Sequence, residues 1–118
     1  MQYLSVRNVT RNTELGQKVR IASSLVTRAI GLLGTRSLGP GEGLWLAPCV
    51  SIHTFFMRYP IDILFIDAQN IVLGQKTLPP WRTSPWFMKS RGVLELAAGT
   101  LAQTGTQIGD RVEFKSID

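Results

Sequence analysis

Residues 61–77 read Ile-Asp-Ile-Leu-Phe-Ile-Asp-Ala-Gln-Asn-Ile-Val-Leu-Gly-Gln-Lys-Thr. Ile61–Ile66 has the length of a strand and is apolar almost throughout, the pattern of a strand covered on both faces. Asp67-Ala68-Gln69-Asn70 is a good hairpin turn, with Asn70 able to take positive φ. Ile71–Thr77 then returns as the antiparallel partner. A hairpin whose first strand is buried on both sides needs further layers around it, and the rest of the chain offers mostly strands to supply them.

Val93–Leu96 reads as a strand, and Gly109-Asp110 turns the chain into a last one at Arg111–Phe114. Gln2–Asn8 and Gln17–Ala22 read as a hairpin joined by the polar turn Arg11–Gly16, with Leu44–Leu46 as a further short strand. Ser23 or Ser24 can cap a helix over Leu25–Leu33, which Gly34 stops. Ala98–Gly105 fits a second short helix or a helical turn. Many short strands, Gly/Pro turns and little helix predict a mostly β chain: a small closed or partly closed β-barrel with one or two short helices, a single domain over residues 1–118.

Composition narrows the function classes. Hydrophobic content of 44% and charged content of 18% describe a chain that folds. A lone cysteine excludes an internal disulfide framework. The first sixteen residues lack a basic region followed by an apolar run, so they do not read as an export signal. No stretch reaches the roughly 18 apolar residues of a membrane span. The chain therefore reads as cytoplasmic, with no membrane span. Net charge is +5, from nine arginines and four lysines scattered without a block. That favours an anionic partner in general, and nucleic acid is not favoured on charge alone.

The segment before the hairpin, Pro48-Cys49-Val50-Ser51-Ile52-His53-Thr54-Phe55-Phe56-Met57-Arg58-Tyr59-Pro60, holds the only cysteine and the only histidine. Val, Ile, Thr and Phe favour a strand over Ser51–Arg58, closed by Pro60. Alternation would then put Cys49, His53 and Met57 on one face, but four residues of strand span about 13 Å. Metal ligation and a Cys49–His53 dyad both need converging side chains, so no metal and no cofactor is expected here. Arg58 and Asp62 flank the Tyr59-Pro60 break with opposite charges. They read either as an ion pair bracing the bend or as a charged pair offered to a ligand at the barrel mouth.

Ser51–Arg58 followed by Pro60–Asp67 resembles the hallmark of an uncharacterised prokaryotic family, domain of unknown function 192. Arg28–Gly34, Val93–Gly99 and the Gly109-Asp110 turn resemble further elements of it in the same order. The resemblance implies a compact, mostly β domain and no particular activity. It singles out His53, Met57, Arg58, Asp62 and Glu95 as motif positions with polar or soft side chains.

Leu78–Gly92 is a long loop with Trp81, Trp86 and Phe87 among Arg82, Lys89 and Arg91. Such a loop is either pinned over a barrel end by its tryptophans or offers them to a ligand. Three functions follow. The favoured one is a non-catalytic binding module with a pocket or groove near His53 and Asp62 for a small polar ligand, a glycan or a partner peptide. Its candidate residues are His53, Met57, Arg58, Asp62, Trp81, Arg82 and Glu95. The second is a hydrolase using His53 with Asp62 or Glu95 as acid and base. The third is single-stranded nucleic-acid binding through Trp81 and Arg82.

Overall fold

A computed structural model describes residues 3–22 and 38–117. The strands are β1 (Tyr3–Asn8), β2 (Thr13–Ala22), β3 (Glu42–Leu46), β4 (Ile61–Ile66), β5 (Val72–Leu78), β6 (Gly92–Ala97) and β7 (Val112–Ile117). One short helix, α1 (Thr100–Thr104), lies between the last two. No helix among the described residues is long and apolar enough to cross a membrane. The helix expected over Leu25–Leu33 lies outside the described residues.

Among the described residues the seven strands form one sheet in the order β5-β4-β6-β3-β2-β1-β7. Every pairing is antiparallel except β2 with β3. Among the described residues the two edges meet only at their beginnings. Ile71 bridges Arg111, Val72 N donates to Asp110 O at 2.8 Å, and Val112 N donates to Asn70 O at 2.9 Å. Beyond that corner β5 and β7 part, so the barrel is partly closed, as the sequence predicts.

Strand alternation sorts the apolar residues into two cores. Leu4, Val6, Val19, Trp45, Leu64, Leu94, Leu96 and Val112 fill the interior. Leu44, Leu46, Ile61, Ile63, Phe65, Leu78 and Val93 form a second layer, packed against Ile52 and Met57. β4 serves both layers, which is why all six of its residues are buried. The Asp67–Asn70 turn forms as read, with Asp67 Oδ1 accepting from Gln69 N and Ile71 N and Asn70 at φ 64°.

The expected strand over Ser51–Arg58 is not formed. The run makes a single bridge, His53 with Thr83, and then turns, with Met57 N donating to Thr54 O at 3.2 Å and Phe56 left-handed at φ 66°. The physical reason is where its apolar residues go. Ile52 and Met57 are drawn down onto the second core layer, an odd spacing that an extended strand cannot satisfy. His53 and Met57 therefore do not share a face: His53 is exposed and Met57 is buried.

Candidate functional site: an exposed aromatic platform

Two loops, residues 47–60 and 79–91, are zipped together over the second core layer. Thr54 N donates to Arg82 O at 2.8 Å, Trp81 N to Thr54 O at 2.9 Å, Ser84 N to Ile52 O at 2.9 Å and Phe87 N to Val50 O at 2.9 Å. Thr54 is the hub. It is fully buried, its Oγ1 donates to Pro79 O at 2.6 Å and it accepts from Arg82 N at 2.9 Å. The second loop is anchored by Phe87, whose ring packs on Phe65 with centroids 4.5 Å apart. Gly74 of β5 makes this possible, because a β-carbon there would clash with the tip of the Phe87 ring. Thr54→Val keeps the shape but strands the Arg82 N–H and the Pro79 carbonyl. It is expected to cost about 2 kcal/mol in denaturant unfolding and to broaden the amide signals of residues 81–83.

What the zipped loops turn outward is aromatic. His53 stacks on Phe55 at 4.9 Å, Phe55 lies 6.1 Å from Trp81, and Phe56 lies 4.6 Å from Trp81. Phe56 is 69% exposed and Trp81 54%. Both have left-handed backbones, at φ 66° and 63°. A bulky residue in that region is strained by about 1–3 kcal/mol, and such strain clusters at functional sites. Arg82 borders the group, its Nη1 donating to Trp81 O at 3.3 Å. The His53 Nδ1 accepts from Phe55 N at 3.2 Å, which leaves Nε2 facing away from that bond.

The other anticipated residues lie elsewhere. Asp62 is buried at the start of β4 and works as a tertiary helix cap. Its Oδ2 accepts from Gly99 N at 3.0 Å and Leu101 N at 2.9 Å, and its Oδ1 from Thr77 Oγ1 at 2.6 Å. The cap residue Gly99 has no side chain to do this itself. The bracing ion pair is absent: among the described residues Arg58 makes no salt bridge to Asp62. Glu95 sits in mid-β6, opposite Ile63 on one side and Leu44 on the other, so it faces the second core layer. Burial pushes its carboxyl up to about 8, against a smaller downward pull from the charge of Arg20.

Asp62 pairs with Leu96 while Glu95 pairs with Ile63. One residue of register therefore separates the two carboxyls onto opposite faces of the sheet. Among the described residues no hydrogen bond joins His53 to either, so the geometry does not assemble the anticipated acid–base set. No group of three or more His, Cys, Asp or Glu among them could hold a metal. Cys49 turns its Sγ to the Ser51 carbonyl at 3.1 Å. An open cleft of about 180 Å³ lies between β2, Pro40-Gly41 and α1, lined by Glu14, Gln17 and Gln103 among others. None of the anticipated residues lines it. Phe55 and Phe56, which the sequence reading placed in a strand, join His53, Trp81 and Arg82 in the platform. The adjacent pair of aromatics before Met57 was the available signal.

Among the described residues, then, Asp62 serves as a remote helix cap and the aromatic platform is raised on two paired loops. A family model for DUF192, described as Uncharacterized ACR, matches residues 7–114, and the chain belongs to that family. It is 30% identical over 113 residues to a UPF0127 protein of Pyrococcus abyssi, covering 91% of this chain and 94% of that protein. A UPF0127 protein of Pyrococcus horikoshii is 31% identical over 113 residues, with 91% and 96% covered. A solved structure of a protein of unknown function from Novosphingobium aromaticivorans superposes with a TM-score of 0.79 at 23% identity, over 93% of this chain and 82% of that one. That likeness concerns the fold.

Proposed function

We propose that the chain is a non-catalytic binding module that receives an extended, anionic partner on the platform of His53, Phe55, Phe56, Trp81 and Arg82. The observation that carries this reading is the pair Phe56 and Trp81, more than half exposed yet held left-handed by a buried hydrogen-bonded hub. A fold keeps such strain where something else depends on it. Fixed rings also lose little entropy on binding, and aromatic residues beside arginine dominate binding hot spots.

The test is an NMR titration of labelled protein with four probes: a glutamate-rich peptide, a thymidine oligonucleotide, a sulfated oligosaccharide and anionic lipid vesicles. At least one is expected to move or broaden the amides of residues 53–56 and 81–83. Phe56→Gly should abolish that response while leaving stability unchanged or raised by up to about 1 kcal/mol, since it relieves strain at an exposed site. If all four probes leave these amides unmoved, the platform is not a binding site and the reading falls.

A further inference from the structure

The same two loops expose further apolar side chains. Among the described residues nine large apolar side chains are exposed, and five belong to these loops: Phe55, Phe56, Trp81, Trp86 and Met88. Trp86 is 71% exposed and Met88 76%. Between them Phe87 tucks down onto Phe65, so the second loop points one residue inward and its two neighbours out.

Charge is distributed just as unevenly. Residues 47–60 and 79–91 contain Arg58, Arg82, Lys89 and Arg91 and no acidic residue; all eight Asp and Glu of the chain lie elsewhere. Arg91 is taken up over the Trp45 and Phe114 rings, 5.1 and 5.5 Å from their centroids. Arg58, Arg82 and Lys89 are exposed, and among the described residues none is paired with a carboxylate.

We propose that these loops dock the protein on an anionic bilayer surface, with the rings and Met88 entering the headgroup boundary and the three cations meeting lipid phosphates and carboxylates. This rests on the reading of the platform as a binding site and names its partner. Tryptophan beside arginine or lysine suits the interface, where an apolar body meets a wet, charged rim. A nucleic-acid platform would use the Phe56 and Trp81 rings, which are tilted by 58° and so do not present parallel faces to successive bases. It would also gain nothing from a protruding methionine, which has no ring to stack. A second copy docked loop face to loop face would bring like charges together.

The experiment is co-sedimentation with vesicles of phosphatidylcholine alone and of phosphatidylcholine with about a third phosphatidylserine, with tryptophan emission recorded on the same samples. Trp45 is buried, so any blue shift reports Trp81 and Trp86. Binding to the anionic vesicles is expected to exceed binding to neutral ones by at least about tenfold and to weaken with salt. Trp86→Ser combined with Met88→Ser should lose the blue shift and most of the binding. Arg82→Glu combined with Lys89→Glu should lose the preference for the anionic lipid.

Absence of binding to the anionic vesicles overturns the proposal. So does binding without a blue shift that survives the Trp86/Met88 variant, which is the behaviour of any basic protein. If vesicles fail while the peptide, oligonucleotide or oligosaccharide moves the platform amides, the binding-module reading stands and lipid is excluded as its partner.

Discussion

Glu95→Gln is expected to make the protein more stable at pH 8 and to leave it nearly unchanged at pH 5. Glu95 is buried in the middle of β6, and burial raises its carboxyl from 4.5 to about 8. Between those values the folded chain holds a proton that the unfolded chain has released. Unfolding free energy therefore falls as pH rises through this window, at up to about 1.4 kcal/mol per pH unit, and levels off above it. Over the full window the loss approaches about 5 kcal/mol, comparable to the whole stability of a small domain. Glutamine keeps the shape without the titration, so its curve should lack this descent. Urea midpoints of both proteins from pH 5 to 9 decide the matter: parallel curves would show that Glu95 is ionised in the folded state.

Asp62→Ala is expected to cost about 3–4 kcal/mol. The carboxylate is fully buried and holds three donors: Thr77 Oγ1, Gly99 N and Leu101 N. Bonds to a charged acceptor are each worth about 1.5–3 kcal/mol, and its loss leaves two helix-end amides without their acceptor. Asp62→Asn retains one acceptor oxygen and should cost about 2 kcal/mol. Hydrogen exchange separates this local role from general damage. The amides of Gly99 and Leu101 should lose protection in both variants more than those of β1 and β2. Equal loss everywhere would mean that Asp62 does not hold α1.

The central hairpin and β6 are legible in the sequence because their causes are local. The apolar run Ile61–Ile66 announces burial on both faces, and Asp67 and Asn70 carry their own turn chemistry. Strand order is not legible, since the β2–β3 neighbourhood and the β5–β7 corner are set by pairing between distant segments. The run Ser51–Arg58 misleads because its residues have strand propensity but answer to a tertiary demand, the burial of Ile52 and Met57. No glycine or asparagine marks the turn at Phe56, so composition could not announce it. Trp81 and Arg82 were legible as a loop feature, and His53 joins them through one backbone bridge that only the fold supplies. The role of Asp62 had a faint signal: Gly99 opens a helix without a capping side chain, which calls for an acceptor from elsewhere in the fold.

The pairing of β1 on both sides has a consequence for synthesis. Its residues pair with β2 at once, but their other neighbour is β7, with Tyr3 opposite Ile117. While a ribosome is still making the chain, the outer edge of β1 has no partner and Leu4 and Val6 lack Val112 to close over them. The barrel interior stays wetted until that final strand emerges. Closing so large a loop is slow, and the waiting edge can pair with other nascent chains. Yield of soluble protein should therefore respond to translation speed and to holdase chaperones more than the small size of the fold implies.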